Sequence, residues 1–395
     1  MQRKSLALGS YLVASLAVVA CQEQSTQPVA APASASAART SATVSSQAYL
    51  GTLWADRAAL EVPSSILSAE TVFAESGRQA INRNDYVCSE QSSPVVQYLN
   101  AELSTTLAKE SSLFFSIYNI YGDLIPTYDA LYFQTSATPQ TYGYNGQFTM
   151  AIVNTERDIK SFWDIKSDDI QVVAMHGSML LDQQRVANTY EKIFGFSPTV
   201  AAAYAKTIYD ALSASKTMNG GNFAFFTFNA FAFTTFGGSF PDKIVMGDGL
   251  LESYAAIGFG DVAPQAIFAH EFAHHIQYEN GYFNDLASNR YSEAEKTRYT
   301  ELMADAYSAY FLTHARGAAM NRKRVEQFHD VFFQIGDCSF KSDGHHGTPN
   351  QRRAAAALGF KLAAEAQRQG QILTSAAFHD QFVAAYPKLI APDAR

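Results

Sequence analysis

Two histidines and a glutamate within residues 270–274, HEFAH, constrain this chain more than any other feature of its sequence. In a helix of about 3.6 residues per turn, His270 and His274 lie one turn apart on the same face. Two neutral imidazoles so placed can hold one Zn²⁺ ion. Glu271 would lie beside the open coordination position, where a carboxylate can take a proton from zinc-bound water and pass it to a leaving group. The alternative is a buried helix whose histidines only make hydrogen bonds.

The flanking residues predict where this helix begins and ends. Asp261 and Pro264 stand where an N-cap and a first turn are expected, and Gly281 follows the expected end. Apolar residues recur with helical spacing between these limits, at Ile267, Phe268, Phe272 and Ile276. We therefore expect a helix with a buried apolar face, beside which two histidines need polar partners or a metal ion.

A third metal ligand is predicted in the segment 301–305, ELMAD. The run Ser292–Glu295 has the form of a capping box, so a helix should begin there and place Glu301 and Asp305 one turn apart on one face. Glu301 can complete the metal site, while Asp305 can accept the remaining N–H of a ligand histidine. The rival carboxylates for the ligand role are Asp285, Glu293 and Glu295. A solvent-exposed helix face is the alternative reading of Glu301 and Asp305.

Paired histidines precede another predicted helix start in residues 344–352, GHHGTPNQR. Thr348 as N-cap, with Pro349 and Gln351 after it, makes a good helix start. That explanation leaves His346 and Arg352 without a role. Either side chain could donate a hydrogen bond to an oxyanion, and we favour His346 as this catalytic group. The helix start alone remains the alternative.

Three blocks in this order resemble those of bacterial neutral zinc metallopeptidases of the gluzincin type: HEFAHHIQ (270–277), ELMAD (301–305) and HGTPNQR (346–352). The resemblance covers roughly residues 244–360. It implies an α+β, helix-rich, zincin-like fold with a short mixed sheet beside the HExxH helix. It also implies one zinc ion held by His270, His274 and Glu301, with Glu271 as catalytic base and a peptide or protein as substrate. The family commonly has cysteine where Ala306 stands here, which is a departure from its pattern.

Residues 244–249, IVMGDG, predict a short strand that ends in a turn. In the zincin folds that this chain resembles, an edge strand just upstream of the HExxH helix pairs with the extended substrate. The position of residues 244–249 suits that role. Any core strand would show the same pattern.

The preceding residues 48–240 predict a mainly helical N-terminal region, followed by a zincin-like catalytic region at 241–395. Helix-like apolar spacing occurs near Ser65–Ala80, Pro94–Ile120 and Pro198–Ser213. A short apolar run predicts a strand at Ile170–Met175, and the histidine that follows it, His176, is interpreted as structural. Residues 142–146, YGYNG, predict a turn or loop. The phenylalanine-rich run 223–236 is interpreted as core, with an apolar substrate groove as the alternative.

The first 47 residues carry the features of an exported, lipid-anchored protein. Residues 1–20 combine a basic start with a short apolar run, as in a secretory signal peptide. Cys21 then resembles the acylated cysteine of a bacterial lipobox, with ordinary cleavage after Ala20 as the alternative. Residues 21–47 lack large apolar side chains and predict a flexible tether. We therefore expect a lipoprotein of the bacterial cell envelope that faces the periplasm. Cys88 and Cys338 either pair or remain free thiols.

The charge of the chain bears on its partners. Removal of residues 1–20, which contain Arg3 and Lys4, changes the formal net charge from −8 to −10. An acidic chain offers no basic surface for nucleic acid, so we expect no such partner. Two other kinds of function stay open. One is an envelope chaperone or assembly lipoprotein with a structural zinc site, and the other is a non-enzymatic ligand-binding lipoprotein.

Overall fold

Three short strands form one mixed sheet in the computed structural model, which describes residues 94–234, 241–286, 291–332 and 347–391. The strands are β1 (Gln171–Met175), β2 (Ala230–Phe233) and β3 (Lys243–Gly247), in the order β1-β3-β2. β3 pairs with β1 in parallel, Val173 opposite Val245, and with β2 antiparallel, Phe231 opposite Val245. The strand just upstream of the HExxH helix is therefore the central one.

The strand predicted within residues 244–249 is confirmed, but it lies at the centre of the sheet and not at an edge, and it does not end in a turn. All five residues of β3 are buried, as is usual for an interior strand covered on both faces. A helix begins at Asp248, directly after the strand. Among the described strands, the edge strand that contacts the HExxH helix is β2, in the phenylalanine-rich run 223–236.

Helices make up most of the described chain, so the helix-rich α+β prediction is confirmed. They are α1 (Pro94–Tyr118), α2 (Ile125–Tyr132), α3 (Thr149–Phe162), α4 (Gln183–Ile193), α5 (Pro198–Ala214), α6 (Asp248–Ala256), α7 (Ala263–Asn280), α8 (Glu293–Thr313), α9 (Arg322–Phe332), α10 (Pro349–Arg368) and α11 (Ser375–Leu389). None of the helices in the described ranges has the length and apolarity needed to cross a membrane. The finer zincin-like arrangement stays a prediction.

Several local predictions are confirmed, and others lie outside the described residues. The helices near residues 94–120 and 198–213, the strand near 170–175 and the turn at 142–146 are present. The following fall outside the described ranges: residues 1–47, the segment Ser65–Ala80, Cys88, Cys338 and His346. The apolar core includes residues on both sides of the predicted division at residue 240, from Val95 to Leu389.

A close backbone contact near the predicted metal ligands joins α8 to α10. A Cβ atom added at Gly359 of α10 would lie only 2.2 Å from the backbone oxygen of Ala306 in α8. The small side chain of Ala309 lies at the same contact, 2.9 Å from that added atom. Glycine thus lets the two helix backbones meet. This contact fixes α10, which carries Arg352, against the helix that carries Glu301 and Asp305.

We expect Gly359→Ala to lower the free energy of unfolding by about 1–3 kcal/mol, because the added methyl group would overlap backbone rather than a flexible side chain. Helix propensity alone would favour alanine by about 1 kcal/mol, so the sign of the effect is diagnostic. Urea unfolding measures it. Ala357→Ser, on the exposed face of the same helix, is the control and should change stability by no more than about 0.5 kcal/mol. A Gly359→Ala variant more stable than wild type would contradict the close contact.

Candidate metal centre

Helix α7 carries the two histidines and is buried from Ala263 to Gln277. Pro264 lies in its first turn, and Gly281, with φ of 72°, ends it as the sequence predicted. The prediction of Asp261 as N-cap is wrong, because Val262 takes that position and no side chain caps the helix. The Asp261 carboxylate instead binds the guanidinium of Arg324 in α9 through two contacts of 2.9 and 2.6 Å. A two-bond ion pair competes well with a single capping bond.

Helix α8 brings two carboxylates to α7. The predicted capping box is present: the backbone N–H of Ser292 donates to Glu295 at 2.8 Å, and that of Glu295 donates to the Ser292 hydroxyl at 3.3 Å. Further along α8, Glu301 and Asp305 are each only 1% exposed. The alternative of a solvent-exposed helix face is therefore wrong. Buried carboxylates in an apolar helix need positive partners, which makes their surroundings informative.

Glu301 lies between the two imidazoles. Its Oε2 is 3.4 Å from Nε2 of His270, and its Oε1 is 3.4 Å from Nε2 of His274. Two donor atoms bound about 2.1 Å from a tetrahedral ion lie about 3.4 Å apart, so the spacing fits a shared ion. This buried group of two nitrogens and one carboxylate could hold a metal ion.

The rival carboxylates are engaged elsewhere. Asp285 contacts the hydroxyl of Tyr299 and Nε2 of His379, each at 2.6 Å. Glu293 pairs with Lys296 at 2.8 Å, and Glu295 belongs to the capping box. Among the described residues, the three-residue group of His270, His274 and Glu301 is the one arrangement of histidine, cysteine and carboxylate groups suited to a metal.

Behind His270, a carboxylate and a guanidinium continue the site. Nδ1 of His270 lies 3.1 Å from Asp305, and Arg352 of α10 donates two hydrogen bonds of 2.8 Å to the same carboxylate. The guanidinium also lies over the ring of Phe332, 4.9 Å from its centre. A neutral His270 with its proton on Nδ1, the nitrogen that faces Asp305, would present Nε2 to a metal ion. Arg352, which the sequence offered as an oxyanion donor, serves this carboxylate instead.

The charges of these groups favour a cation at the cluster. Burial by itself would raise the pKa of Asp305, but the adjacent Arg352 guanidinium outweighs it and lowers that pKa below its usual range. Burial would likewise lower the pKa of His270, but hydrogen bonding and attraction from Asp305 and Glu301 raise it to about 10. Positive charge is thus stabilised where the two helices meet, which is the condition for binding a divalent ion.

Gln277, the last residue of the HEFAHHIQ block, supports the second histidine. Nδ1 of His274 lies 3.0 Å from the amide oxygen of Gln277. The amide nitrogen of Gln277 donates to the backbone oxygen of Thr300 at 2.7 Å, and Thr300 directly precedes Glu301. One side chain therefore orients His274 and ties α7 to the start of the third ligand. The spacing His274 to Gln277, three residues on a helix, was the available signal.

Glu271 lies beside the cluster in a buried position. Its side chain is almost inaccessible, and no hydrogen bond to its Oε2 is found within the described ranges. Burial raises its pKa, while the positive charge of nearby imidazoles and the nearby backbone N–H of Ala232 oppose the rise. Ala232 belongs to β2, which is an edge strand among the described strands, so this edge of the sheet lies near the predicted base. No pattern in the sequence indicates this contact.

The other histidines lie away from the cluster. His275 points away from the cluster, and its Nε2 lies 2.9 Å from the backbone oxygen of Lys243. His314 and His329 are buried in packing positions. His346, predicted as an oxyanion donor, lies outside the described residues, so its role stays a prediction.

Comparisons with protein families, with curated proteins and with solved structures find no match to this chain. The resemblance to neutral zinc metallopeptidases therefore stays a prediction that rests on three sequence blocks. The metal-binding capacity of the cluster rests on its own geometry, namely three buried donor groups at the spacing of a shared ion.

We expect Gln277→Leu to weaken the binding of a divalent metal ion by about 10- to 100-fold, because His274 loses the acceptor that fixes its tautomer. Competition titration against a chromogenic chelator measures the affinity. Gln369→Leu, an exposed change at the end of α10, is the matched control and should leave it unchanged. If the Gln277→Leu variant binds the ion with wild-type affinity, Gln277 does not support His274 as a ligand.

A second prediction concerns the contribution of the Arg352–Asp305 ion pair to the stability of the metal-free protein. Arg352→Met leaves a buried carboxylate without its counter-charge and should cost about 3–5 kcal/mol of unfolding free energy. In an Asp305→Leu background the same change should cost far less, because no carboxylate remains to be neutralised. Urea unfolding of the four proteins gives the coupling energy. Additive costs would show that the two side chains act independently.

Proposed function

We propose that this chain is a zinc-dependent endopeptidase. The observation that carries the proposal is the Glu271 carboxylate, buried beside the cluster of His270, His274 and Glu301. A closed structural site needs four ligands and no base. A catalytic site needs three ligands, an open position and a group that moves a proton, and these side chains match that requirement.

The ion belongs to the proposal, because the cluster does not by itself identify a metal. Two imidazoles with one carboxylate form a donor set used by catalytic zinc, and their spacing suits tetrahedral coordination. Zinc held there would supply a Lewis acid that polarises an amide carbonyl and lowers the pKa of water. Asp305 and Gln277 would keep both imidazoles in the tautomer that such binding requires.

Glu271 would carry the proton in the reaction. It takes a proton from the attacking water as oxygen bonds to the carbonyl carbon, and it returns a proton to the nitrogen as the C–N bond breaks. Its buried surroundings raise its pKa, which makes it a stronger base than an exposed glutamate. The products are one new carboxyl group and one new amine, so a single water is consumed.

The free edge of β2 supports a peptide as the substrate. Among the described strands, β2 pairs with β3 on one side only. The N–H of Ala232 lies near enough to the Glu271 carboxylate to lower its pKa, so this edge borders the same space as the base. An extended peptide can pair with such an edge through backbone hydrogen bonds. Binding of this kind depends on the extended backbone of the peptide more than on its side chains.

Export and lipid anchoring at Cys21 complete the proposal, and they rest on the sequence of residues 1–21. The protein would then act on peptides or proteins in the bacterial envelope, facing the periplasm. A chaperone or assembly lipoprotein with a structural zinc site would bind zinc but would cleave no peptide. The buried Glu271 is the feature that such a protein does not need.

The test compares wild type with Glu271→Gln in a peptide-library digest read by mass spectrometry, with zinc content measured in parallel. We expect the variant to retain about one zinc per chain. Its cleavage rate should fall by about 100- to 10,000-fold, because the amide cannot accept the proton. Glu279→Gln, at the exposed end of the same helix, is the matched control and should cleave normally. Undiminished cleavage by the Glu271→Gln variant would contradict the role of Glu271 as the base. If zinc-loaded wild type cleaves no peptide, the proposed peptidase activity is wrong.

A further inference from the structure

A cavity lies where strands β1 and β3 end, and it shares no residue with the candidate metal centre. Its volume is about 410 Å³, near the lower end of the range for small-molecule sites. Its lining includes Thr141, Tyr144, Asn145, His176, Ser178 and Asp248. The carboxyl ends of adjacent parallel strands are a common place for ligands. The sequence interpretation of His176 as purely structural left this cavity unnoticed.

A buried carboxylate orients the histidine in the cavity wall. Asp248 is 1% exposed, and its Oδ2 lies 2.6 Å from Nδ1 of His176. Its Oδ1 accepts a hydrogen bond of 2.7 Å from the backbone N–H of Gly143. Nδ1 is the ring nitrogen that bonds Asp248, so a neutral His176 presents Nε2 as a hydrogen-bond acceptor. The imidazole is 30% exposed, and no partner for Nε2 is found in the described part of the chain.

The loop at residues 142–146 forms a rigid wall of the cavity. Gly143 and Gly146 adopt φ of 87° and 72°, which side chains rarely allow. Every backbone N–H of these five residues donates within the fold: to Thr149, Asp248, Glu252, Gln147 and Gly143 in turn. The wall is therefore preorganised, and no N–H of this loop is left for an anion. A ligand must be recognised by side chains.

Those side chains favour hydroxyl groups and disfavour negative charge. Thr141, Asn145 and Ser178 offer two hydroxyls and an amide, and no hydrogen bond from these side chains to other described residues is found. Lysine and arginine are absent from the described lining. The carboxylates of Asp248 and Glu252 lie close to the loop instead. A ligand with several hydroxyls can satisfy these groups, whereas an anion would meet repulsion.

We propose that this cavity binds a monosaccharide-sized sugar that is neutral or carries an amine. Nε2 of His176 accepts a hydrogen bond from one hydroxyl or amine of the ligand. Asn145 and Ser178 exchange hydrogen bonds with others. Binding at this site is independent of the metal centre and of the proposed peptidase activity.

Isothermal titration of the full chain with glucose, glucosamine and gluconate tests the proposal. Glucose and glucosamine should bind at millimolar concentration, and the anionic gluconate should not. Asn145→Ala and Ser178→Ala, both at exposed positions, should each weaken binding roughly 2- to 13-fold by removing one hydrogen bond. His176→Ala should weaken it further.

Glu271→Gln is the matched control and should bind these sugars as wild type does, so failure of the peptidase proposal would leave this result intact. Three outcomes would overturn the sugar site. Gluconate could bind as well as glucose, none of the three sugars could bind, or the Asn145→Ala and Ser178→Ala variants could bind with unchanged affinity.

Discussion

The buried ion pair between Asp305 and Arg352 is the interaction on which the candidate metal centre depends. Asp305 can remain charged in an apolar helix because the guanidinium donates two hydrogen bonds to it. The charged carboxylate in turn holds the His270 ring. Three helices, α7, α8 and α10, are thereby joined by one line of polar contacts. An apolar core alone would pack these helices together, but it would not orient the His270 ring so that one nitrogen faces the metal position.

The two histidines are supported by different chemistry. His270 has a charged carboxylate behind it, whereas His274 has the neutral amide of Gln277. A carboxylate makes an imidazole a stronger electron donor than an amide does. The two nitrogens therefore offer unequal bonds to an ion, while Glu301 lies equally far from both. This asymmetry arises from the surroundings, because the two ligands are chemically identical.

Local patterns in the sequence predicted the helix ends and the cluster, and long-range pairing explains the rest. The capping box at Ser292 and the glycine at position 281 act within a few residues, so they can be recognised directly. The edge position of β2 depends on which strands pair, and a short buried strand looks the same at a centre or an edge. The prediction of Asp261 as the N-cap of α7 failed because its actual partner, Arg324, is distant in sequence. The pairing of His176 with Asp248 was hidden for the same reason.

The contact at Gly359 has a consequence for how the centre tolerates change. Backbone meets backbone there, so no rotamer adjustment can absorb a displacement of α10 against α8. The guanidinium on one helix and the carboxylates on the other consequently move as one body. The alignment of the charged groups is therefore set by a residue that has no side chain and touches none of them.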